Sequence, residues 1–481
     1  MNMRVVLKLL GTVLMWESIL MIPSLIIAIL DNSYEISAFI ISIIIIGVLG
    51  FALMNIKTNG FQMRNREGFA GVAICWVVMS LLGALPFYIS GAIPAYIDAV
   101  FETVSGFTTT GSSILTDIEI LPRGILFWRS FTHWIGGMGV LILTLALMPS
   151  LGARSVFLMR AESPGPSPGK LVPKISETAK LLYIIYAGMT IIQIILLVIA
   201  KMSLYDAFIH AFGTAGTGGF SNKGLSVGAY NSPLIEWIIT IFMLLFGVNF
   251  SLHYLLLKGD FKSILKNEEF RLYWLTVIIS IIIICINVLP LYNYSVADSL
   301  TKSSFQVATI VTTTGYATTD FNLWPMLPKS ILLMLMFFGA CAGSTGGGIK
   351  FIRVLLLFKA VAYEIRHTVH PNSIGTIKIN GRKVDISVMS GIMVFFFAYV
   401  ATMIVAILIV SLDNFDFMTT FSAVLATISN IGPGFEIVGP MGNYADFSVL
   451  SKIVLTCCMI IGRLEVMPIF VLMSPSIWKK R

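Results

Sequence analysis

The chain has 481 residues, of which 57% are hydrophobic and only 12% charged, with a mean hydropathy of +0.90. A soluble domain of this length keeps far more charge on its surface, so that class is excluded. Apolar runs of about 20 residues, each able to cross a roughly 30 Å hydrocarbon core, predict an all-α polytopic membrane protein.

The formal charge of +8 does not point to nucleic acid, because the basic residues gather in alternate connections. Of 32 Lys and Arg, 24 fall on one side: Arg4 and Lys8, then the stretches 57–66, 154–180, 258–271, 350–383 and 479–481. The positive-inside rule places these loops and both termini in the cytoplasm. The opposite loops carry acids such as Asp31, Asp117, Glu119, Asp320 and Asp446, which raise the local concentration of cations.

The first run, "VVLKLLGTVLMWESILMIPSLIIAIL", is too long for a signal peptide and ends at "DNSYE" without a small-residue cleavage site, so it reads as a helix. Ten crossings are expected, near 6–30, 34–56, 68–91, 123–148, 178–201, 233–257, 272–294, 328–359, 385–411 and 448–473. The five cysteines all fall inside apolar runs and read as packed core thiols.

Between the crossings lie four segments, near 96–111, 205–218, 298–315 and 416–432. Each is apolar for only about 10 to 14 residues, too short to cross and suited to a re-entrant half-helix. They open alike, "YIDAVFE", "LYDAFIH", "VADSLTK" and "NFDFMTT", with Asp98, Asp206, Asp298 and Asp416 expected as helix caps. They close on "SGFTTTGSS", "GTAGTGGFS", "TIVTTTGYA" and "TISNIGPGF", at Gly111, Gly218, Gly315 and Gly432, spaced 107, 97 and 117 residues apart. The expected plan is four pseudo-repeats of helix, pore loop and helix around one central pore (61–150, 151–260, 261–384 and 385–481), after an extra N-terminal helix pair in 1–60.

Non-helical backbone cannot face lipid, since each unpaired N–H or C=O costs several kcal/mol there; it must be buried or line a cavity. One small-residue run such as "TAGTGG" would read as a helix-packing seam. Four at near-regular spacing, each after a short helix, point to a shared axis. Glycine lets successive carbonyls turn inward, and a ring of carbonyl oxygens can replace the hydration shell of a monovalent cation. The half-helices would aim their partially negative C-terminal ends at the same place.

These loops, with "NREGFAGVAICWVVMSLLGALPF", "WRSFTHWIGGMGVLIL", "GVNFSLHY", "GACAGSTGGGIKFIRVLLL" and "IGRLEV", resemble the membrane subunit of the Trk/Ktr/HKT potassium uptake superfamily, most closely its TrkH/TrkG branch. The resemblance covers essentially the whole chain. It implies a potassium-binding selectivity filter at Thr109, Thr110 and Gly111; Thr217 and Gly218; Thr313, Thr314 and Gly315; and Asn430, Ile431 and Gly432. Gly111, where sodium-preferring plant relatives carry serine, implies potassium preference. The resemblance further implies a homodimer in a bacterial plasma membrane and control by a cytosolic TrkA-like ring that binds ATP or NAD. Nothing in this chain looks like a nucleotide site, so such a ligand is expected on the partner. No enzymatic chemistry is implied; a sodium- or proton-coupled potassium symporter is the alternative to a channel-like uniporter.

The run "FFGACAGSTGGGIKF" is too rich in glycine for an intact helix, at about 1 kcal/mol per glycine, and predicts a break at membrane depth. Gly343, Ser344, Thr345, Gly346, Gly347 and Gly348 make up that break, which must be buried or line a cavity. Arg463 lies inside the apolar span that carries "IGRLEV" and needs partners there, for which the freed carbonyls of a glycine loop are suited. Pairing with Glu465, or reaching the cytoplasmic edge, are the alternatives. The resemblance implies that this loop is a gate and that Arg463 holds it closed. "GSTGGGIK" is similar to a phosphate-binding P-loop, but its lysine is one place late and no Ser or Thr follows. His367 and His370 lack a third metal ligand, and "RAESPGPSPGKLVPKISE" reads as a Pro/Gly linker.

Overall fold

The computed structural model describes residues 2–57, 65–139, 175–372 and 375–475. The linker at 160–177, apart from its last three residues, and the last third of the expected crossing 123–148 lie outside the described residues, as do the basic residues at 479–481. The fold is that of an all-α polytopic membrane protein. Among the described residues six helices are long and apolar enough to cross a membrane unaided, and two bent helix pairs pass the same test together.

The N-terminal crossings, Met3–Leu30 and Ile36–Met54, form a close pair. A Cβ on Gly50 would lie 2.9 Å from the backbone nitrogen of Met15, so the two backbones nearly touch, as small residues allow in membranes. The pair leans on the helix Asn65–Gly83, where Gly71 leaves room for Leu9.

The four short segments are half-helices: Tyr96–Phe107, Leu204–Gly216, Val296–Val311 and Phe417–Ile428. At about 1.5 Å rise per residue none is long enough to span the core. Their C-terminal halves are wholly buried. Capping corrects the expectation. Only Asp416 is a cap, accepting from the Thr419 N–H at 2.8 Å. Ser203 and Ser295 cap the second and third half-helices by accepting from the Asp206 and Asp298 N–H groups, and Ala95 precedes the first with no side-chain cap. Asp98, Asp206 and Asp298 stand in the first turn, where a carboxylate complements the positive end of the helix dipole. Asp98 there also pairs with Lys452 at 2.8 Å, joining the first repeat to the last.

The helix after the loop is interrupted in the second, third and fourth repeats, whereas the glycine count pointed to the third alone. In the first, Arg123–Gly137 ends in "GGMG", with Gly139 at φ +83°. The second is bent by 99° between Pro233–Phe246 and Phe250–Leu257, and Asn249 caps the new helix. In the third, Met326–Leu335 and Phe351–Val369 are separated by the glycine loop. The fourth is bent by 117° between Val449–Arg463 and Met467–Met473, through Glu465 (φ +53°) and Val466 (φ +68°). A β-branched residue at positive φ is a genuine outlier. Cysteine packing also departs from expectation: Cys75, Cys341 and Cys458 are buried, Cys285 is half-buried and Cys457 is exposed.

The corrected caps are separable by mutation. Asp416→Ala should cost about 1 kcal/mol, the usual value of a lost cap. Asp298→Ala should cost clearly less, and thermal melts of the two purified variants in one detergent would check the order.

Candidate functional site

All four half-helices end in the same backbone device. The N–H groups of Thr110, Gly218, Thr314 and Ile431 bond back to the carbonyls of Ser105, Gly213, Thr309 and Ala426, each at 2.8 Å. The residue before each, Thr109, Thr217, Thr313 or Asn430, is left-handed, with φ of 54°, 56°, 58° and 55°. This is a Schellman cap, in which glycine is the usual left-handed residue. Three threonines in that conformation store roughly 1–3 kcal/mol each, held by the packing around them. In loops one and three the flanking hydroxyls also pair, Thr108 with Thr110 and Thr312 with Thr314, both at 2.8 Å.

Two residues beyond the left-handed position stand Gly111, Gly219, Gly315 and Gly432, with φ of 82°, 76°, 84° and 96°. The second loop therefore runs one residue out of the expected register. Gly219, not Gly218, matches the other three glycines, and Gly218 occupies the position of Thr110, Thr314 and Ile431. Gly218 is glycine for a separate reason: a Cβ there would enter the His133 imidazole. That ring bonds the Gly106 carbonyl through Nδ1 at 2.7 Å and accepts the Phe220 N–H at Nε2, 3.2 Å away, linking loop two to the first half-helix.

The four loops meet in a closed ring. A Cβ on Gly111 would strike the Gly218 carbonyl oxygen, one on Gly219 that of Thr314, and one on Gly315 that of Ile431. The circle closes where a Cβ on Gly432 would lie 2.6 Å from the Thr110 oxygen. Each glycine is thus the space in which the next repeat's carbonyl sits. Asn430 adds a side-chain tie across the same junction, donating to Thr110 Oγ1 at 2.9 Å. Gly111, Gly219, Gly315 and Gly432 all line one cavity of about 460 Å³, along with Asp117, Glu119 and Lys223.

A buried ion pair braces the ring and escaped the sequence reading. Arg129 donates to Glu102 at 2.6 Å and to the Ser221 carbonyl at 3.0 Å, and lies over the Phe220 ring. Glu102 also accepts from Ser113 Oγ and the Ile114 N–H. The exits of loops one and two therefore share one set of charges, and the further bonds to Ser113, Ile114 and Ser221 offset the cost of burying the pair. The signal was available as an arginine inside the apolar run "LFWRSF".

Directly against the ring, on the side away from that cavity, lies the glycine loop. A short parallel pairing of Phe338–Gly339 with Ile349–Lys350 closes its neck. The Gly347 N–H donates to Thr313 Oγ1 at 2.7 Å; a Cβ on Gly346 would lie 3.0 Å from the Thr312 oxygen, and one on Gly347 2.5 Å from that of Ser429. Gly343 (φ +72°) abuts Asn249 at the bend of repeat two and accepts from the Phe250 N–H. Ser344 bonds the Cys341 carbonyl at 2.6 Å, and Gly348 (φ +64°) turns the chain back into the neck.

Arg463 reaches this loop. It donates to the Thr345 carbonyl at 2.7 Å and to the Gly136 and Gly137 carbonyls at 2.5 and 2.6 Å. Those last two lie at the C-terminal end of the helix of repeat one, where a cation is favoured. Glu465 is engaged by Arg353. Lys350 donates to the Gly346 carbonyl, and Glu269 accepts from the Ala342 and Ile352 N–H groups at 2.7 and 3.0 Å.

A family model described as TrkH, cation transport protein, matches residues 31–480. The chain belongs to the TrkH family. It is 40% identical over 87% of its length to a Salmonella typhimurium protein named Trk system potassium uptake protein TrkH, 87% of which is covered. It is 38% identical to the TrkH and 34% identical to the TrkG of Escherichia coli strain K12, covering 99% or more of each chain. The crystal structure of the potassium transporter TrkH from Vibrio parahaemolyticus superposes with a TM-score of 0.89 at 32% identity, covering 100% of both chains. The family is one of transport proteins rather than enzymes.

The ring makes a register-specific prediction for a TrkH-family transporter. Gly219→Ala should abolish cation uptake into reconstituted vesicles, because its methyl group would displace the Thr314 carbonyl. Gly224→Ala, with only Glu119 Oε1 near a Cβ at 3.9 Å, should transport as the parent does.

Proposed function

We propose that this chain carries potassium into a bacterium through the ring formed by the four loops. The observation that carries the reading is the closed circle of glycine against carbonyl, one contact per repeat, in a TrkH-family chain whose relatives are named for potassium uptake. Backbone oxygens at Thr109, Thr110 and Gly111, with their counterparts at 217–219, 313–315 and 430–432, take the place of the ion's water shell. The cavity with Asp117 and Glu119 is the outer vestibule, where acids concentrate cations before entry. The plasma membrane is the setting, with both termini and the basic loops in the cytoplasm.

The glycine loop is the gate in this reading, and Arg463 is its latch. One charge-assisted bond, from Arg463 to the Thr345 carbonyl, holds the loop and is worth about 1.5–3 kcal/mol, while the bonds to the Gly136 and Gly137 carbonyls anchor the arginine to repeat one. Opening requires Thr345 to leave Arg463 and Gly347 to leave Thr313. The chain works as a homodimer, and a cytosolic TrkA-like ring that binds ATP or NAD supplies the energy that shifts this equilibrium. The nucleotide belongs to that partner.

Two experiments test this. Expression in a potassium-uptake-deficient bacterium should restore growth at low potassium, more strongly with a TrkA-like protein present; no rescue with either would overturn the reading. In reconstituted membranes the current should reverse at the potassium equilibrium potential, and a displaced reversal would show coupling to sodium or protons. For the latch, Arg463→Ala should raise basal rubidium flux about ten-fold, the equivalent of one lost charged hydrogen bond. Unchanged flux at normal expression would sink the latch while leaving the filter standing.

A further inference from the structure

On the gate side of the molecule lies a second cavity, of about 960 Å³, remote from the ring. Its floor is apolar, made by Leu252, Leu255, Ile352, Leu356 and Val388. Its rim is basic: Lys266, Arg271, Arg382 and Lys383, all exposed and none, among the described residues, within ion-pairing distance of a carboxylate. Glu268 and Asp385 also line it, but Glu268 is already engaged by Lys359 and by the Asn380 N–H.

The rim is a built structure. The hairpin that pairs Lys378–Ile379 with Arg382–Lys383 is clamped to the start of the helix Glu268–Val288. Asn380 Oδ1 accepts the Glu268 N–H at 2.9 Å, Glu268 accepts the Asn380 N–H at 2.7 Å, and Lys359 bridges Glu268 to the Lys378 carbonyl. Arg382 and Lys383 are therefore held beside Arg271 rather than left on a free loop.

The surroundings place this rim at the membrane surface. The short helix Phe261–Lys266 exposes Phe261 (60%) and Leu265 (65%) on one side and carries Lys262 and Lys266 on the next. That pattern suits a segment lying in the headgroup layer. Ile386, 87% exposed, continues the apolar border at the end of the hairpin. An apolar floor at the membrane edge beneath several unpaired cations matches one kind of ligand: acyl chain below, phosphate above.

We propose that this cavity binds an anionic phospholipid from the gate-side leaflet, its phosphodiester held by Arg271, Arg382 and Lys383 and its acyl chain lying on the Leu252–Leu356 floor. The site is independent of what passes the ring. A lipid seated there touches the helices on both sides of the gate loop, Phe250–Leu257 and Phe351–Val369, so occupancy bears on the elements that frame the gate.

The test uses the full-length protein, delipidated in detergent and titrated with phosphatidylglycerol or phosphatidylcholine, with bound lipid counted by native mass spectrometry. Phosphatidylglycerol should be retained over phosphatidylcholine. Each of Arg271→Gln, Arg382→Gln and Lys383→Gln should weaken retention about five-fold, in line with one membrane-surface charge apiece. Arg366→Gln, outside the cavity, should leave retention unchanged and controls for folding. Equal retention of the two lipids, or phosphatidylglycerol binding indifferent to the three substitutions, would overturn the proposal. So would full displacement by millimolar inorganic phosphate or glycerophosphoglycerol, which would make this a site for soluble phosphate instead.

Discussion

Everything in this fold answers to one constraint: peptide groups freed from helices inside a bilayer have no water to turn to. The chain frees four such stretches at the ring and at least one more in the glycine loop; at the ring it returns N–H groups to the carbonyls of the half-helices before them and packs the loops backbone against backbone, out of reach of lipid. The contact is possible only because Gly111, Gly219, Gly315 and Gly432 lack a Cβ at the points where the neighbouring loop's carbonyl passes. The half-helices, the bent helices behind them and the buried charges at Arg129 and Glu102 all serve to hold those four approaches in place.

The second layer of the structure is the linkage between the ring and the glycine loop. Thr313 contributes a strained left-handed residue to the ring and a hydroxyl that receives the Gly347 N–H, so one side chain belongs to both. Arg463 ties the fourth repeat to the loop of the third and to the helix end of the first. The loop cannot shift without disturbing that edge of the ring, because a hydrogen bond joins the two rather than a gap separating them.

Much of this was legible in the sequence, and the failures have identifiable physical causes. Long apolar runs announce crossings because lipid tolerates little else, and half-helices announce themselves by being too short. The glycine loop was visible because five glycines in ten residues contradict helix propensity, and an arginine in an apolar span must find carbonyls or carboxylates. The second loop misled because "TGG" offers two glycines, and only the hydrogen-bonded end of the helix before it decides which one takes the turn. The bends at Gly247–Asn249 and Leu464–Val466 were hidden because Asn249 capping and a left-handed Glu465 leave hardly any mark on composition. Ser203 and Ser295 lost the capping role in the reading because an aspartate three residues on is the louder signal, although Ser-x-x-Asp is the pattern of a capped first turn. Glu102 and Arg129 are 27 positions apart, and nothing local says that they touch.

The ring is built by one polypeptide, so its quadrants need not be alike. Where equivalent backbone sites fall in four identical subunits, any substitution appears four times and every specialisation is forced on all of them. Here Thr110, Gly218, Thr314 and Ile431 put three kinds of residue at the same post, the His133 imidazole fills one corner only, and the glycine loop docks from one repeat alone. A single inherited change can therefore alter one quarter of the ring and leave three quarters as they were, which is how the one-sided contact of Arg463 can coexist with a nearly symmetric ring.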